Sequence, residues 1–502
     1  MHFTFPTDNQ DLASLRVDLC AVLLFEGEHA ESPVLRALDQ ALGGIVLKLL
    51  EEEQFTGKKT QCLNVHSHGK VGATRLLLLG VGKRKDFQPS DLRFFAGRTI
   101  RTANSSRARS VGIVLPELDA AWAERISQFI VEGSLLGAYQ FDRYWTGERK
   151  RPSTVAEVTL LTQDRGDGVR PALERGAVRG EAVARGVMLA RDLVNEAASE
   201  MTPIRLAAVA EQLARDHGLE LEVLGPKECS QLGMGLYLAV SRGSTEEPRF
   251  IHLTYRPKGR APRRRVVLIG KSVTFDSGGL SLKTMEGMMD MKMDMGGGAA
   301  VLGAVGALAR LDCPDEVHII CAATENMPGG SAYKLGDVLR SLSGRTIEIT
   351  NTDAEGRLTI ADALTFALNQ IKPDEILDLA TLTGASTVAL GPHIAGVMSN
   401  NPEMTGRLLG AARDSGEDMW QLPLPDRLMD MLKSEIADLK NCGERAGGCI
   451  TAGLFLKEFV GDIPWVHIDM AGPVQASKEW GHQIKGATGF GVSTIVEYLI
   501  PR

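Results

Sequence analysis

Short apolar runs alternate with amphipathic stretches along the whole chain. In the N-terminal third, Val17–Phe25, Arg75–Val81, Ser110–Leu115 and Val155–Thr162 read as strands. Ala37–Glu51 and Leu118–Glu132 place apolar residues at helical spacing between them. Such alternation predicts a small α/β domain over residues 1–168. Polar, Gly- and Arg-rich segments at 146–153 and 163–170 follow, and Pro171 then sits in the first turn of a long helical pattern through Ala177, Val183, Val187, Leu189 and Leu193. A linking helix over 169–195 is expected. A larger α/β domain over 196–502 follows. Its predicted strands are Leu219–Leu224, Leu236–Ser241, Phe250–Tyr255, Arg265–Gly270, Val317–Glu325, Thr346–Thr350, Glu375–Thr381 and Trp465–Met470, with a helix over Thr359–Leu368.

Composition narrows the function classes. With 502 residues, 44% hydrophobic and 24% charged, the chain is neither disordered nor fibrous. No apolar run approaches the ~18 residues that a membrane span needs. Fifty-six basic against 63 acidic side chains give a net charge of −7, so nucleic acid is not the default partner. The rival feature is Arg256–Arg265, with six positive charges in ten residues, which a DNA-binding or regulatory scaffold would use. Pro257, Gly259 and Pro262, between apolar strands and without interleaved aromatics, instead predict a solvated hairpin loop. Gly270-Lys271-Ser272 resembles the end of a phosphate-binding loop, but Arg265 stands where its first glycine belongs. Seven scattered cysteines without a Cys-x-x-Cys pair, and an N-terminus with no basic and apolar leader, predict a cytoplasmic protein.

Three clusters carry the chemistry. Lys271, Asp276 and Lys283 lie just beyond the C-terminal end of an apolar strand, where open α/β sheets bind ligands. Asp294 follows, ahead of Gly296-Gly-Gly298 and an Ala-rich helix. The third cluster is Asp353, Glu355 and Arg357, between a strand and a helix. Asp353 alone could cap that helix, and Glu355 with Arg357 could be a loop ion pair. Four carboxylates at the C-terminal sides of strands that could be neighbours are instead costly to desolvate unless a hard cation neutralises them, and their number suggests two metals.

At this point the sequence resembles the leucyl (cytosol) aminopeptidase family of two-metal exopeptidases. The resemblance is carried by Asn351-Thr-Asp-Ala-Glu-Gly-Arg-Leu358 and by Gly270-Lys271 with Thr274-Phe-Asp-Ser-Gly-Gly279. Arg191-Asp-Leu-Val-Asn195, Glu325-Asn-Met327, Gly336-Asp-Val338, Ala380-Thr-Leu-Thr-Gly384, Ile450-Thr-Ala452 and His467-Ile-Asp-Met-Ala-Gly472 support it in order. It implies a macro-like N-terminal α/β domain and a catalytic α/β domain whose mixed central sheet is flanked by helices.

The resemblance further implies that Asp276 and Glu355 bridge two metal ions (Mn2+ or Zn2+, with Mg2+ as an alternative). Lys271, as a neutral amine, and Asp294 would complete one site, and Asp353 the more exchangeable one. Two cations roughly 3.5–4 Å apart would acidify a bridging water and polarise the scissile carbonyl. Lys283 would stay charged beside that carbonyl, helped by the backbone N–H of Leu382 within Thr381–Gly384. Arg357 would hold bicarbonate as the proton shuttle, and Met291 would line the pocket for the N-terminal side chain, favouring leucine and other apolar residues. The substrates would be peptides and the assembly a homohexamer, a dimer of trimers. Departures concern loops: Glu196-Ala-Ala-Ser after Asn195, Lys334-Leu335 before Gly336, and Gly296-Gly-Gly298, whose extra glycine predicts a looser loop around Asp294. His467 is read as a core histidine, and Cys442 and Cys449 as free thiols.

Overall fold

The computed structural model describes residues 1–6, 15–161 and 168–502. The end of the strand predicted to reach Thr162, and most of the polar segment 163–170, lie outside the described residues. The chain divides into two compact units, 1–184 with 478–484 and 185–477 with 485–502. The helix Val169–Asn195 runs from the first unit into the second.

In the first unit, β1 (His2–Thr4), β2 (Leu19–Phe25), β3 (Cys62–His66), β4 (Arg75–Gly82), β5 (Ser110–Val114) and β6 (Glu157–Leu161) form one sheet in the order β1-β6-β5-β2-β4-β3. Neighbours are parallel except β3, which runs antiparallel to β4. β2 is buried along its whole length because alternate side chains enter two cores. Leu19, Ala21 and Leu23 face one, Cys20, Val22 and Leu24 the other. The helix predicted over Ala37–Glu51 is two helices, Pro33–Ala41 and Ile45–Glu52. Gly43 and Gly44, at φ 78° and 79°, break it, a left-handed turn that glycine makes without steric cost.

The second unit contains β7 (Glu220–Leu224), β8 (Arg249–Tyr255), β9 (Arg265–Gly270), β10 (Val273–Asp276), β11 (Glu316–Asn326), β12 (Val338–Arg340), β13 (Thr346–Glu348), β14 (Glu375–Ala380), β15 (Ala395–Ser399), β16 (Met419–Gln421), β17 (Leu439–Lys440) and β18 (Trp465–Asp469). The main sheet is ordered β16-β15-β18-β14-β9-β11-β8-β7, with β10 added alongside β11. Its centre, β18-β14-β9-β11, is parallel, and β15 and β8 turn antiparallel at its flanks, so the sheet is mixed. The helix Gly296–Arg310 covers one face of β9 and β14. On the other, Val267, Ile269 and Ile376 pack with Leu358 and Ile360 of the helix Gly356–Phe366. A sheet covered on both faces explains why β9 and β14 read as unbroken apolar runs.

Two predictions are corrected. Leu236–Ser241 is not a strand but the helix Gly235–Ser241. It is apolar all round and buried, and Asp362 accepts hydrogen bonds from the Leu236 and Tyr237 N–H groups at its start (3.0 and 2.9 Å). Periodicity cannot separate such a run from a buried strand. Nor is Arg256–Arg265 a hairpin, because β8 and β9 both pair with β11, which lies between them. Among the described residues no helix is long and apolar enough to cross a membrane.

Candidate active site

β9 and β14 end side by side, with Gly270 opposite Leu379. Beyond that pair the Lys271 N–H donates to the Leu379 carbonyl (2.9 Å), and the Lys271 carbonyl accepts from the Gly298 N–H (2.8 Å). The helix Gly296–Arg310 therefore starts directly on the strand ends. A Cβ on Gly297 would stand 1.9 Å from the Leu379 oxygen, and one on Gly298 2.2 Å from Ser272 Oγ. The three glycines do not loosen this loop, as their number predicted. They permit a backbone approach that fixes Asp294 two residues upstream.

Asp294 is buried; its Oδ1 accepts from Thr381 Oγ1 (2.7 Å), and its Oδ2 is 2.8 Å from Lys271 Nζ. Lys271 Nζ also lies 2.8 Å from Glu355 Oε1 and donates to the Thr381 carbonyl (3.1 Å). Its side chain passes Gly356, where a Cβ would be 2.4 Å from Lys271 Cε. Asp276 ends β10. Its Oδ1 accepts from the Gly278 N–H and from Asn326 Nδ2, both at 2.8 Å, and its Oδ2 is 2.8 Å from Lys283 Nζ. Lys283 Nζ makes a second close ion pair with Asp353 Oδ1. The loop carrying Asp353 is held by Thr352, whose Oγ1 donates to the Gly278 carbonyl (2.7 Å). Glu355 precedes the first turn of Gly356–Phe366 and is 1% exposed. Carboxylate oxygens of Asp276, Asp353 and Glu355 converge to within 4.8 Å of one another.

Burial alone would push the Lys271 ammonium down, but Asp294, Glu355 and Asp276 outweigh it and hold it above its usual range. Lys283 is raised in the same way, chiefly by Asp276 against its own burial. Burial drives the Asp276, Asp294 and Asp353 carboxyls up, and Glu355 adds repulsion on Asp276. Four acids thus share two ammonium groups. Among the described residues, Glu355 Oε2 is buried with no hydrogen-bond partner, and Asp294 Oδ2, Asp353 Oδ1 and Glu355 Oε1 meet only ion-pair distances to lysine. An oxygen-rich donor set with orphaned buried lone pairs fits hard divalent cations.

Arg357 is buried beside this cluster. Its Nη1 donates to the Asn441 carbonyl (2.9 Å), its Nε has no partner among the described residues, and burial pushes the guanidinium down. A small anion would satisfy it. The Leu382 N–H makes a long contact, 3.3 Å, to Asp469 Oδ1, whose carboxylate also accepts from Thr383 Oγ1 (2.6 Å). Gly384 opens the helix Gly384–Leu390 with free space where a Cβ would be. Met291 is half-buried in the turn Met291–Met295 that carries Asp294. Asn326 and Asp469 were not singled out individually, although each ends a strand beside the cluster. His467 is a core histidine, fully buried with Nδ1 2.5 Å from Asp378 Oδ1. Cys442 and Cys449 are free thiols.

The basic segment takes no part in the site. Arg263 makes a two-bond pair with Asp315, Arg264 pairs with Asp315 and Glu375, Arg265 and Arg256 with Glu316, and Arg260 with Asp312. Guanidinium groups so matched are a poor basis for a phosphate-binding surface.

The profile of the cytosol aminopeptidase family's catalytic domain matches residues 188–496, and that of its N-terminal domain residues 21–148. A protein named probable cytosol aminopeptidase from Gloeobacter violaceus is 42% identical, with 97% of each chain covered, and one of the same name from Gloeothece citriformis 46% identical over 96% of each. Among solved structures, a mutant of tomato leucine aminopeptidase superposes with a TM-score of 0.91 at 35% identity, covering 100% of this chain and 97% of its own. The bottromycin maturation enzyme BotP in complex with Mn gives 0.83 at 34% identity, covering 96% and 98%. Matches over both units, together with the acid cluster at the sheet's C-terminal end, show that the chain belongs to the cytosol aminopeptidase family and is a metal-dependent aminopeptidase.

Proposed function

We propose that the enzyme holds two divalent cations, Mn2+ or Zn2+ with Mg2+ as an alternative, and removes N-terminal residues, preferentially leucine and other apolar ones, from peptides. The observation that carries this is the convergence of Asp276, Asp353 and Glu355 beside Asp294 and Lys271, with buried oxygens that no hydrogen-bond donor among the described residues satisfies. Asp276 and Glu355 would serve both cations, Lys271 and Asp294 one, and Asp353 the other. When bound, such a pair supplies an acidified water and a polarised carbonyl.

The remaining work falls to the chain's own side chains. Lys271 must become a neutral amine to act as a ligand, and bringing dications to its carboxylate partners favours loss of its proton. Lys283, released from its pairs with Asp276 and Asp353, is free to turn its ammonium to the developing oxyanion, with the weakly held Leu382 N–H as a second donor. Thr381 orients Asp294, and Gly384 leaves the substrate side open. Arg357 would hold bicarbonate, which supplies a proton carrier in a site whose described residues include no histidine ligand. Met291 would touch the N-terminal side chain. We also infer a homohexamer, testable by light scattering on the purified chain.

Chelation tests the reading. Hydrolysis of a leucine anilide should fall to background in excess chelator and return on adding Mn2+ or Zn2+. Hydrolysis that survives exhaustive chelation would overturn it.

A further inference from the structure

A second constellation lies on the other flank of the main sheet, on β7, β8 and β11. His252 and His318 stand on adjacent antiparallel strands as direct neighbours of Ile320 and Thr254 in the ladder. Their rings are offset and nearly parallel, with centroids 5.2 Å apart and planes at 25°, and His252 Nε2 is 3.0 Å from His318 Nδ1. Thr254 Oγ1 completes a triangle, 3.1 Å from His318 Nδ1 and 3.4 Å from His252 Nε2. His252, Thr254 and His318 all line a cavity of about 400 Å³ that also reaches Glu222 and Glu316.

The outer nitrogens are what make this pair unusual. His318 Nε2 is 2.8 Å from Glu316 Oε1, and His252 Nδ1 is 3.6 Å from Glu222 Oε2. A carboxylate behind an imidazole favours the tautomer with the proton on the carboxylate side, leaving the lone pair on the far nitrogen. If both histidines follow their carboxylates, two lone pairs meet at 3.0 Å. A metal cation between them removes that repulsion, as does a switch of the less tightly held His252 to the tautomer whose Nε2–H donates to His318 Nδ1. Burial pushes His318 down to about 4 and His252 also down, so both rings are neutral near pH 7, the form that coordinates metals. The neighbouring Arg256 and Arg265 are each paired with glutamates, Glu220 and Glu316 among them, which tempers their repulsion of a cation.

The geometry points to a second metal site, separate from the active site, in which His252 Nε2 and His318 Nδ1 chelate a borderline transition-metal cation of the Zn2+, Ni2+ or Cu2+ class, with Thr254 Oγ1 at its edge. Metal–nitrogen bonds of about 2.0–2.1 Å in tetrahedral geometry ask for nitrogens ~0.3 Å further apart than here and for both rings to turn so that their lone pairs, now head-on, converge on the cation. Two imidazoles select this class over hard Mn2+ or Mg2+. The cation would tie the central strand β11 to the flanking strand β8.

The test uses full-length protein already loaded with diamagnetic Mg2+, which two imidazoles disfavour, to which Cu2+ is added and read by pulsed electron paramagnetic resonance. The expected result is modulation from coordinated imidazole, which the acid and lysine cluster cannot produce. It should vanish in His252→Ala and His318→Ala while peptidase activity is unchanged. Glu316→Gln keeps both rings and should weaken Cu2+ binding roughly 10–100-fold, which serves if an alanine variant folds poorly. No imidazole-bound Cu2+ in the unmodified protein, imidazole modulation that persists in both alanine variants, or unchanged affinity in Glu316→Gln would overturn the site.

Discussion

At the N-terminal ends of β9 and β14, Asp315 accepts hydrogen bonds from both Arg263 and Arg264, and Glu375 from Arg264, Arg407 and Tyr498. At the C-terminal ends of the same strands, the four acids Asp276, Asp294, Asp353 and Glu355 are ion-paired, among the described residues, with two cations, Lys271 and Lys283. Both ends bury charge. At the first, each buried carboxylate finds more than one donor, as a buried charge must if it is purely structural. At the second, acids outnumber bases and several oxygens have no hydrogen bond among the described residues. The lesson is that a density of charge in the sequence does not mark a functional site, whereas a deficit of partners in the fold does.

The largest effects are expected where the deficit lies. Lys283→Ala should lower kcat by ~10²–10³-fold, as loss of a transition-state donor does, and Asp353→Ala should lower it comparably through loss of a ligand. Circular dichroism should remain native for both. Full activity in either variant would erase the distinction between the two ends. Gly297→Ala should come next. Its Cβ would meet the Leu379 carbonyl at 1.9 Å, so the helix must shift from the strand ends, at a cost of about 1–3 kcal/mol or more. Reduced metal retention together with a lower Tm is expected, and a variant with native Tm and metal content would show that the close approach is dispensable.

How much of this was legible in the sequence follows from where each signal is local. Asp353, Glu355 and Arg357 sit within five residues, so their chemistry shows before any fold is known. The strands β9 and β14 show in the sequence because strands buried on both faces leave continuous apolar runs. β10, β15 and β16 were not foreseen, being short and set among loop residues or helices. The helix Gly235–Ser241 was misread because its partner, Asp362, lies more than a hundred residues away. The pairing of Arg263–Arg265 with Asp315, Glu316 and Glu375 was equally invisible. It depends on β9 lying between β11 and β14, and sequence order alone suggested a hairpin.

A smaller effect is expected at Asp362, a buried acid whose donors are supplied by backbone. It accepts from the Leu236, Tyr237 and Leu342 N–H groups. Asp362→Ala leaves these unsatisfied and should cost about 1–3 kcal/mol, read as a lower Tm. Burial raises its carboxyl to about 7 in the folded chain, against about 3.9 when unfolded. The folded state therefore holds the proton more tightly. This group's stabilising contribution is full below about pH 4 and is lost as pH rises through 7, so the variant's Tm should depend less on pH across that window. The smallest effect is expected at the well-partnered end. Arg264→Gln leaves Asp315 with Arg263 and Glu375 with Arg407, so a loss of about 1 kcal/mol or less of stability and unchanged kcat/KM are expected. An Arg264→Gln enzyme with impaired catalysis would mean that the two ends are coupled.

The most direct test is metal stoichiometry by mass spectrometry on protein reconstituted with Mn2+ and freed of excess ion, measured alongside leucine anilide hydrolysis. Two equivalents per chain are expected in the active enzyme, and one in an inactive Asp353→Ala variant. Full activity with one equivalent or fewer, or two equivalents retained by Asp353→Ala, would contradict the two-cation site.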